Sequence, residues 1–125
     1  MKQQKFSFKK RLESFRYAFS GLKLLLKYEH NSRIHLFVTL CVICAGFLFK
    51  ISLSEWALIV LAIGSVFAME IVNSSIEQLA DFISPDKHKT IKSIKDIAAA
   101  AVLVVAIAAA IIGLIIFIPK IIVLF

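Results

Sequence analysis

The chain has 125 residues, of which 60% are hydrophobic, and its formal net charge at pH 7 is +7. A mean hydropathy of +0.89 excludes a water-soluble globular enzyme. All of the excess positive charge lies in residues 1–33, attached to long apolar segments, which also excludes a nucleic-acid-binding domain and favours lipid headgroups and nucleotide phosphates as partners.

The first predicted element is an amphipathic helix within the basic segment 1–33. Its apolar residues recur every three or four positions, at Phe8, Leu12, Phe15, Phe19, Leu22 and Leu26. The lysines and arginines lie mostly off this line. A helix with one apolar face and one basic face is typical of a segment that lies on the surface of the cytoplasmic leaflet.

Three apolar segments follow, each close to the roughly 20 helical residues that cross a hydrocarbon core of about 30 Å. We predict transmembrane helices over about residues 34–52, 55–82 and 92–118. Together they form one transmembrane domain over residues 34–125. Cys41 and Cys44 have no second pair to complete a zinc site, so we interpret them as packing residues. The expected fold is an all-α integral membrane protein.

The loop charges predict the orientation. The first loop carries Lys50 and Glu55, whereas the second is rich in lysine. The lysines of the second loop are Lys87, Lys89, Lys92 and Lys95. Since positive charge stays on the cytoplasmic side, the N-terminus and the second loop are expected in the cytoplasm and the C-terminus outside.

One face of the second transmembrane segment is polar. At 100° per residue, five side chains fall within about 100° of arc. These residues are Glu70, Asn73, Ser74, Glu77 and Asp81. Ionisable groups at a membrane boundary are costly and usually mark function. The alternative, a solvated cytoplasmic extension of the helix, accounts for Glu77 and Asp81 but poorly for Glu70 and Asn73.

Three carboxylates on one face need cations, either lysines or a hard divalent metal such as Mg²⁺, which takes oxygen ligands. Glu29, Lys95 and Asp96 are expected at the same depth. Ordinary explanations exist for each: Glu29 can pair with Arg33 within one helix, and the lysines can serve orientation alone. The four glycines are too scattered for a phosphate-binding loop, so side chains and metal would have to hold any phosphate.

Three blocks of the sequence resemble one known family. Residues 70–81 have the pattern E-x-x-N-x-x-I-E-x-x-x-D, residues 95–102 have K-D-x-x-A-A-A-V, and residues 17–22 have Y-x-x-x-G-L, followed by Glu29. In these blocks, and over nearly the whole chain, the sequence resembles the bacterial integral-membrane diacylglycerol kinases and the related undecaprenol kinases. Ser74 and Ser75 stand where that family usually has Thr-Ala, a change between small residues.

The resemblance implies a homotrimer in the bacterial inner membrane, with active sites at subunit interfaces. It also implies a lipid kinase that transfers the γ-phosphoryl group of ATP to the primary hydroxyl of a membrane lipid alcohol. It assigns Glu70 as the general base and Asn73 to orienting the substrate or γ-phosphate. It assigns Glu29 and Glu77 as ligands of Mg²⁺. The ATP-binding residues that it implies are Lys10, Tyr17, Glu29, Glu77, Asp86, His88, Lys95 and Asp96, with Lys10 standing where family members often carry Arg.

Two acceptor lipids stay open, diacylglycerol and undecaprenol. Residues 29–35, E-H-N-S-R-I-H, are more similar to the E-x-N-x-x-I-H pattern of the undecaprenol branch, so undecaprenol is the expected acceptor. A different class of function stands beside the kinase: a small non-catalytic membrane subunit, or a cation-coupled multidrug transporter. A transporter gives no reason for the cytoplasmic clustering of Glu29, Glu77, Lys95 and Asp96.

Overall fold

The computed structural model describes residues 7–86 and 88–125 and consists of helices joined by short connections. The helices are α1 (Phe8–Tyr28), α2 (His30–Leu48), α3 (Leu53–Ile83) and α4 (Lys89–Leu124). Over these two ranges there is no β-strand. The all-α fold is therefore confirmed.

Three of the helices are long and apolar enough to cross a membrane, which makes the chain a multi-pass membrane protein. Helix α2 has 19 residues and is about 28 Å long, close to the thickness of the hydrocarbon core. Helices α3 and α4 have 31 and 36 residues, about 46 and 54 Å. Both extend well past the hydrocarbon, which leaves room for polar chemistry at their ends.

Helix α1 ends sooner than the segment 1–33 suggested, because the chain leaves helical geometry at one residue. Glu29 has extended φ and ψ angles of −104° and 113°, and α2 begins immediately after it. Arg33 donates from Nε to the carbonyl oxygen of Leu26 at 2.7 Å and from its guanidinium to that of Lys27. Arg33 thus satisfies carbonyls at the end of α1, and the side chain of Glu29 is left to bond elsewhere.

The turn between α2 and α3 explains why α2 ends at Leu48 and not near residue 52. Lys50 has a φ of 51°, in the left-handed region, which ends the helix. Ser52 then begins α3 with a reciprocal cap: its hydroxyl accepts from the Glu55 N–H at 3.2 Å, and its own N–H donates to the Glu55 carboxylate at 2.9 Å.

Helices α2 and α3 approach closely beside this turn. Gly46 is buried against the ring of Trp56, at a distance that leaves no room for a Cβ atom. Ile51, Ile59 and Ile116 form a buried cluster beside this contact. The apolar turn between α2 and α3 therefore fixes one end of α2 against α3.

Helix α4 passes through Pro119 and continues to Leu124, beyond the end near residue 118 that the sequence suggested. Proline lacks an N–H and removes one helical hydrogen bond, but the helix resumes. Lys120 is the next residue, and its ammonium lies 2.7 Å from the Glu55 carboxylate at the start of α3. This ion pair links α3 and α4 at the end of the molecule opposite the polar face of α3.

Candidate functional site

The polar face predicted from the helical period is present on α3 and is graded in burial along its length. Glu70 has 5% of its surface exposed and Ser74 is also buried. Asn73 and Glu77 are half-buried, and Asp81 is exposed. The face therefore runs from a desolvated carboxylate within the helix bundle to a solvated one near the C-terminal end of α3.

Two side chains of α2 contact both oxygens of the Glu70 carboxylate. The Ser32 hydroxyl donates to Oε2 at 2.9 Å, and the His35 imidazole pairs through Nδ1 with Oε1. Ser32 is 1% exposed, so this contact is closed to solvent. Sequence reasoning named neither residue as part of the site. Their spacing of three on a helix, which puts two polar side chains on one face of an apolar segment, was the available signal.

Glu29 reaches the same face of α3 from the bend between α1 and α2. The Ser74 hydroxyl donates to its Oε1 at 3.0 Å. Since Ser74 lies one helical turn after Glu70, the two carboxylates are held at adjacent levels. The alternative pair between Glu29 and Arg33 does not form, because Arg33 donates to the carbonyls of α1.

Asn73 and Glu77 form the next level. The amide Nδ2 of Asn73 lies 3.5 Å from Oε1 of Glu77, at the long limit of a hydrogen bond. Asn73 Oδ1 is buried and has no hydrogen-bond partner among residues 7–86 and 88–125. A buried amide oxygen without a donor is costly, and it is chemically suited to a metal ion or to a donor on a ligand.

A cavity of about 590 Å³ lies beyond these residues, where the C-terminal end of α3 and the N-terminal end of α4 meet the loop between them. Four residues predicted for the nucleotide line it: Asp86, His88, Lys95 and Asp96. It also holds two ion pairs, Lys95 with Asp81 at 2.7 Å and Lys92 with Asp96 at 2.6 Å. The cavity combines charges of both signs with the apolar side chains of Pro85 and Ile91, a lining that suits a charged, aromatic ligand.

The ring of His88 has a local role at the edge of the cavity. His88 precedes α4, and its Nδ1 accepts a hydrogen bond from the Thr90 N–H at 3.2 Å. This contact caps the first turn of α4 and fixes the orientation of the ring. The other ring nitrogen stays available to a ligand.

Two predicted nucleotide residues lie apart from this cavity. Lys10 and Tyr17 are exposed on α1 and do not line it. Tyr17 is 12 residues before Glu29, about 18 Å along the helix. Its ring is covered by the guanidinium of Arg16, 5.9 Å from the ring centroid. Within a single chain, the structure brings together the residues of α2, α3 and α4 but not those of α1.

A complete metal site is not formed by protein side chains alone. Within residues 7–86 and 88–125, no group of three or more His, Cys, Asp or Glu is arranged to hold an ion. Glu29 and Glu77 offer carboxylate oxygens, and Asn73 offers an unpartnered amide oxygen. Carboxylate and amide oxygens are the ligand types that Mg²⁺ prefers, and three protein oxygens leave positions for phosphates and waters.

Comparison with known proteins gives a consistent result. Residues 16–117 match the family model described as prokaryotic diacylglycerol kinase. An undecaprenol kinase of Bacillus subtilis is 40% identical over 108 residues, covering 86% of this chain and 88% of that protein. A diacylglycerol kinase of Synechocystis is 37% identical over 103 residues, 82% of this chain and 59% of that longer protein. A diacylglycerol kinase of Helicobacter pylori is 35% identical over 98 residues, 78% and 76% of the two chains.

Proposed function

Since this chain belongs to the prokaryotic diacylglycerol kinase family and is a membrane lipid kinase, we propose that it phosphorylates the primary hydroxyl of undecaprenol with Glu70 as the general base. ATP is the phosphoryl donor that a kinase of this family uses. The observation that carries the proposal is the burial of the Glu70 carboxylate against Ser32 and His35, one helical turn before the serine that holds Glu29. The relatives named above are all kinases, so neither a transporter nor a non-catalytic subunit has support from them.

The depth of Glu70 supports its role as a base toward a lipid. It lies 14 residues after Trp56, about 21 Å along α3, near the inner edge of the hydrocarbon. A lipid alcohol presents its hydroxyl at this level without leaving the bilayer. Glu70 accepts the hydroxyl proton, the oxygen forms a bond to the γ-phosphorus, and the bond from that phosphorus to the β-γ bridging oxygen breaks to release ADP.

The second part of the proposal assigns the metal. We assign Glu29 and Glu77 as Mg²⁺ ligands, with Asn73 orienting the γ-phosphate or the acceptor. Bound Mg²⁺ would neutralise charge on the β- and γ-phosphate oxygens. The Ser74 hydroxyl supports this assignment, because its bond to one Glu29 oxygen orients the carboxylate and leaves the other oxygen for a metal.

The nucleotide is assigned to the cytoplasmic cavity. Lys95 and Lys92 each hold an aspartate there, and each ammonium can exchange that carboxylate for a phosphate oxygen. Asp86, His88 and Asp96 line the same cavity and are assigned to the ribose and base. The mixture of charged and apolar side chains in its lining supports a nucleotide in preference to an inorganic ion.

We propose a homotrimer in the bacterial inner membrane, with the N-terminus in the cytoplasm. The orientation is supported by the basic N-terminal segment and by the lysines around the nucleotide cavity. Oligomerisation is supported by the position of Lys10 and Tyr17, which lie on α1 away from the cavity of their own chain. In a trimer, α1 of one chain can approach the cavity of a neighbour.

The choice of undecaprenol is supported by residues 29–35 and by the similarity to the kinase of Bacillus subtilis. Competition between undecaprenol and diacylglycerol at equal surface concentration in mixed micelles tests it. We expect a larger kcat/KM for undecaprenol. A tenfold or greater preference for diacylglycerol, about 1.4 kcal/mol in transition-state binding, would overturn the acceptor assignment and leave the kinase activity intact.

The role of Glu70 is tested by Glu70→Gln in mixed micelles with radiolabelled ATP. We expect turnover to fall by about 10² or more while nucleotide binding is retained, since the amide keeps the shape but not the basicity. Glu55→Gln is the matched control, because Glu55 lies on the same helix at the opposite end of the molecule. Turnover of Glu70→Gln within a few fold of the parent chain would exclude Glu70 as the base.

A further inference from the structure

The contacts around Glu70 assign a role to two residues that the family signature of α3 does not include. We propose that Ser32 and His35 are positioning residues, which hold the Glu70 carboxylate in one orientation for proton transfer from the acceptor hydroxyl. This inference rests on the proposed base role of Glu70. It places part of the catalytic apparatus on α2.

The burial of Ser32 shows that it acts through Glu70. With 1% of its surface exposed, it has no face open to a lipid or a nucleotide. Its hydroxyl donates to Oε2 of Glu70, 38 residues away in sequence, at 2.9 Å. A hydrogen bond from a buried hydroxyl to one carboxylate oxygen limits the orientations that the carboxylate can take.

His35 complements this contact on the other oxygen. Its Nδ1 faces Oε1, so a neutral imidazole must carry its proton on Nδ1, and a protonated imidazole donates from the same atom. His35 is 28% exposed and also lines an apolar cavity of about 530 Å³ between α2, α3 and α4. It therefore stands at the boundary between the carboxylate and the apolar interior.

Contacts on both oxygens fix the orientation of the Glu70 carboxylate more completely than a contact on one oxygen. The last torsion of a glutamate side chain is broad and poorly fixed by itself. The hydrogen bond from Ser32 alone would leave the carboxylate free to rotate about it, whereas a second contact from His35 on the other oxygen fixes its plane. An ionised carboxylate accepts at about four lone-pair positions, so two stay available for the acceptor hydroxyl. The expected result of losing either donor is a lower kcat with little change in the KM for ATP.

The first test compares Ser32→Ala and His35→Leu with the parent chain, using radiolabelled ATP and undecaprenol or diacylglycerol in mixed micelles. We expect each variant to lose about tenfold or more in kcat, with the KM for ATP within about twofold. His35→Asn places an amide donor at the position of Nδ1 and should recover most of the loss. Thr39→Val, one turn along α2 and lining the same apolar cavity, is the control and should retain the parent kcat.

The second test separates positioning from folding. In a chain that already carries Glu70→Gln, adding Ser32→Ala or His35→Leu should cause no further loss, because the group that they position is gone. A general structural role would lower the residual rate again and overturn the inference. If His35→Leu does not fold, Ser32→Ala, which removes a single oxygen atom, carries the same test.

The outcomes distinguish this inference from the proposed function. Full activity of Glu70→Gln would overturn the base role and the inference with it. Loss of activity in Glu70→Gln, together with parent-like kcat in both Ser32→Ala and His35→Leu, would overturn only the inference. Loss in all three single variants without additive loss in the combinations would establish it.

Discussion

Replacing Gly46 by alanine should destabilise the packing of α2 on α3, and the size of the effect follows from the contact with Trp56. A Cβ at position 46 would lie 2.5 Å from Cη2 and 2.8 Å from Cζ2 of the Trp56 ring, and 3.2 Å from Cδ1 of Ile51. Carbon atoms in contact are usually about 3.5–4.0 Å apart, so the indole must shift by about 1 Å. The Phe47 ring, 4.9 Å away between centroids, stands against that movement.

Forced overpacking of this kind costs about 1–3 kcal/mol, whereas alanine in place of a helical glycine contributes up to about 1 kcal/mol of stability. Gly64→Ala provides the matched control, because a Cβ there meets nothing within 4 Å. Gly46→Ala should therefore have an unfolding free energy about 1–3 kcal/mol below that of Gly64→Ala, measured by denaturant titration in detergent micelles.

A second substitution tests the stated cause. Trp56→Phe removes the two ring atoms that a Cβ at position 46 would meet first. Combined with Gly46→Ala, it should be less destabilising than the sum of the two single changes. Equal stability of Gly46→Ala and Gly64→Ala, or strict additivity of Gly46→Ala with Trp56→Phe, would show that this contact does not limit the packing of α2 on α3.

Three further outcomes are expected. Ser74→Ala should weaken Mg-ATP binding about tenfold, because it frees the Glu29 carboxylate. Ser75→Ala is the control, because its hydroxyl donates within its own helix. Equal affinities of the two variants for Mg-ATP would exclude Ser74 from the proposed metal site. Lys120→Met should lower the unfolding free energy only slightly, because water screens the pair with Glu55, and it should leave turnover unchanged; a loss of turnover would link this ion pair to catalysis. Thr90→Cys, in a chain without Cys41 and Cys44, should react with an impermeant thiol reagent only from the cytoplasmic side, and labelling from outside would reverse the topology.

The parts of the site that lie on one helix could be predicted from the sequence, because the helical period alone determines which residues share a face. This holds for Glu70, Ser74 and Glu77 on α3. The contacts of Glu70 with Ser32 and His35 depend on where α2 crosses α3, which local periodicity does not determine. A polar pair on one face of α2 gave only a hint of that crossing.

Helix ends were harder to predict than helix faces, for reasons that differ from place to place. The alternative pair between Glu29 and Arg33 assumes a continuous helix, but the chain is extended at Glu29 and Arg33 donates to carbonyls of α1. The third transmembrane segment was expected to end near residue 118, yet α4 continues through Pro119 and Lys120 bonds to Glu55. Both outcomes depend on tertiary partners that are distant in sequence or on a break that has no strong sequence signal.

The way α2 is attached to α3 has a consequence for how such an enzyme can evolve. Helix α2 contacts α3 at two points. Gly46 lies against Trp56 at one end, and Ser32 and His35 contact Glu70 at the other. A cavity of about 530 Å³ separates the helices between these points. A side chain in the middle of α2 such as Val38, which lines this cavity, can therefore change in size without moving the carboxylate. The packing between the two helices and the geometry at Glu70 can drift independently, so that substitutions along α2 need not disturb the reacting groups.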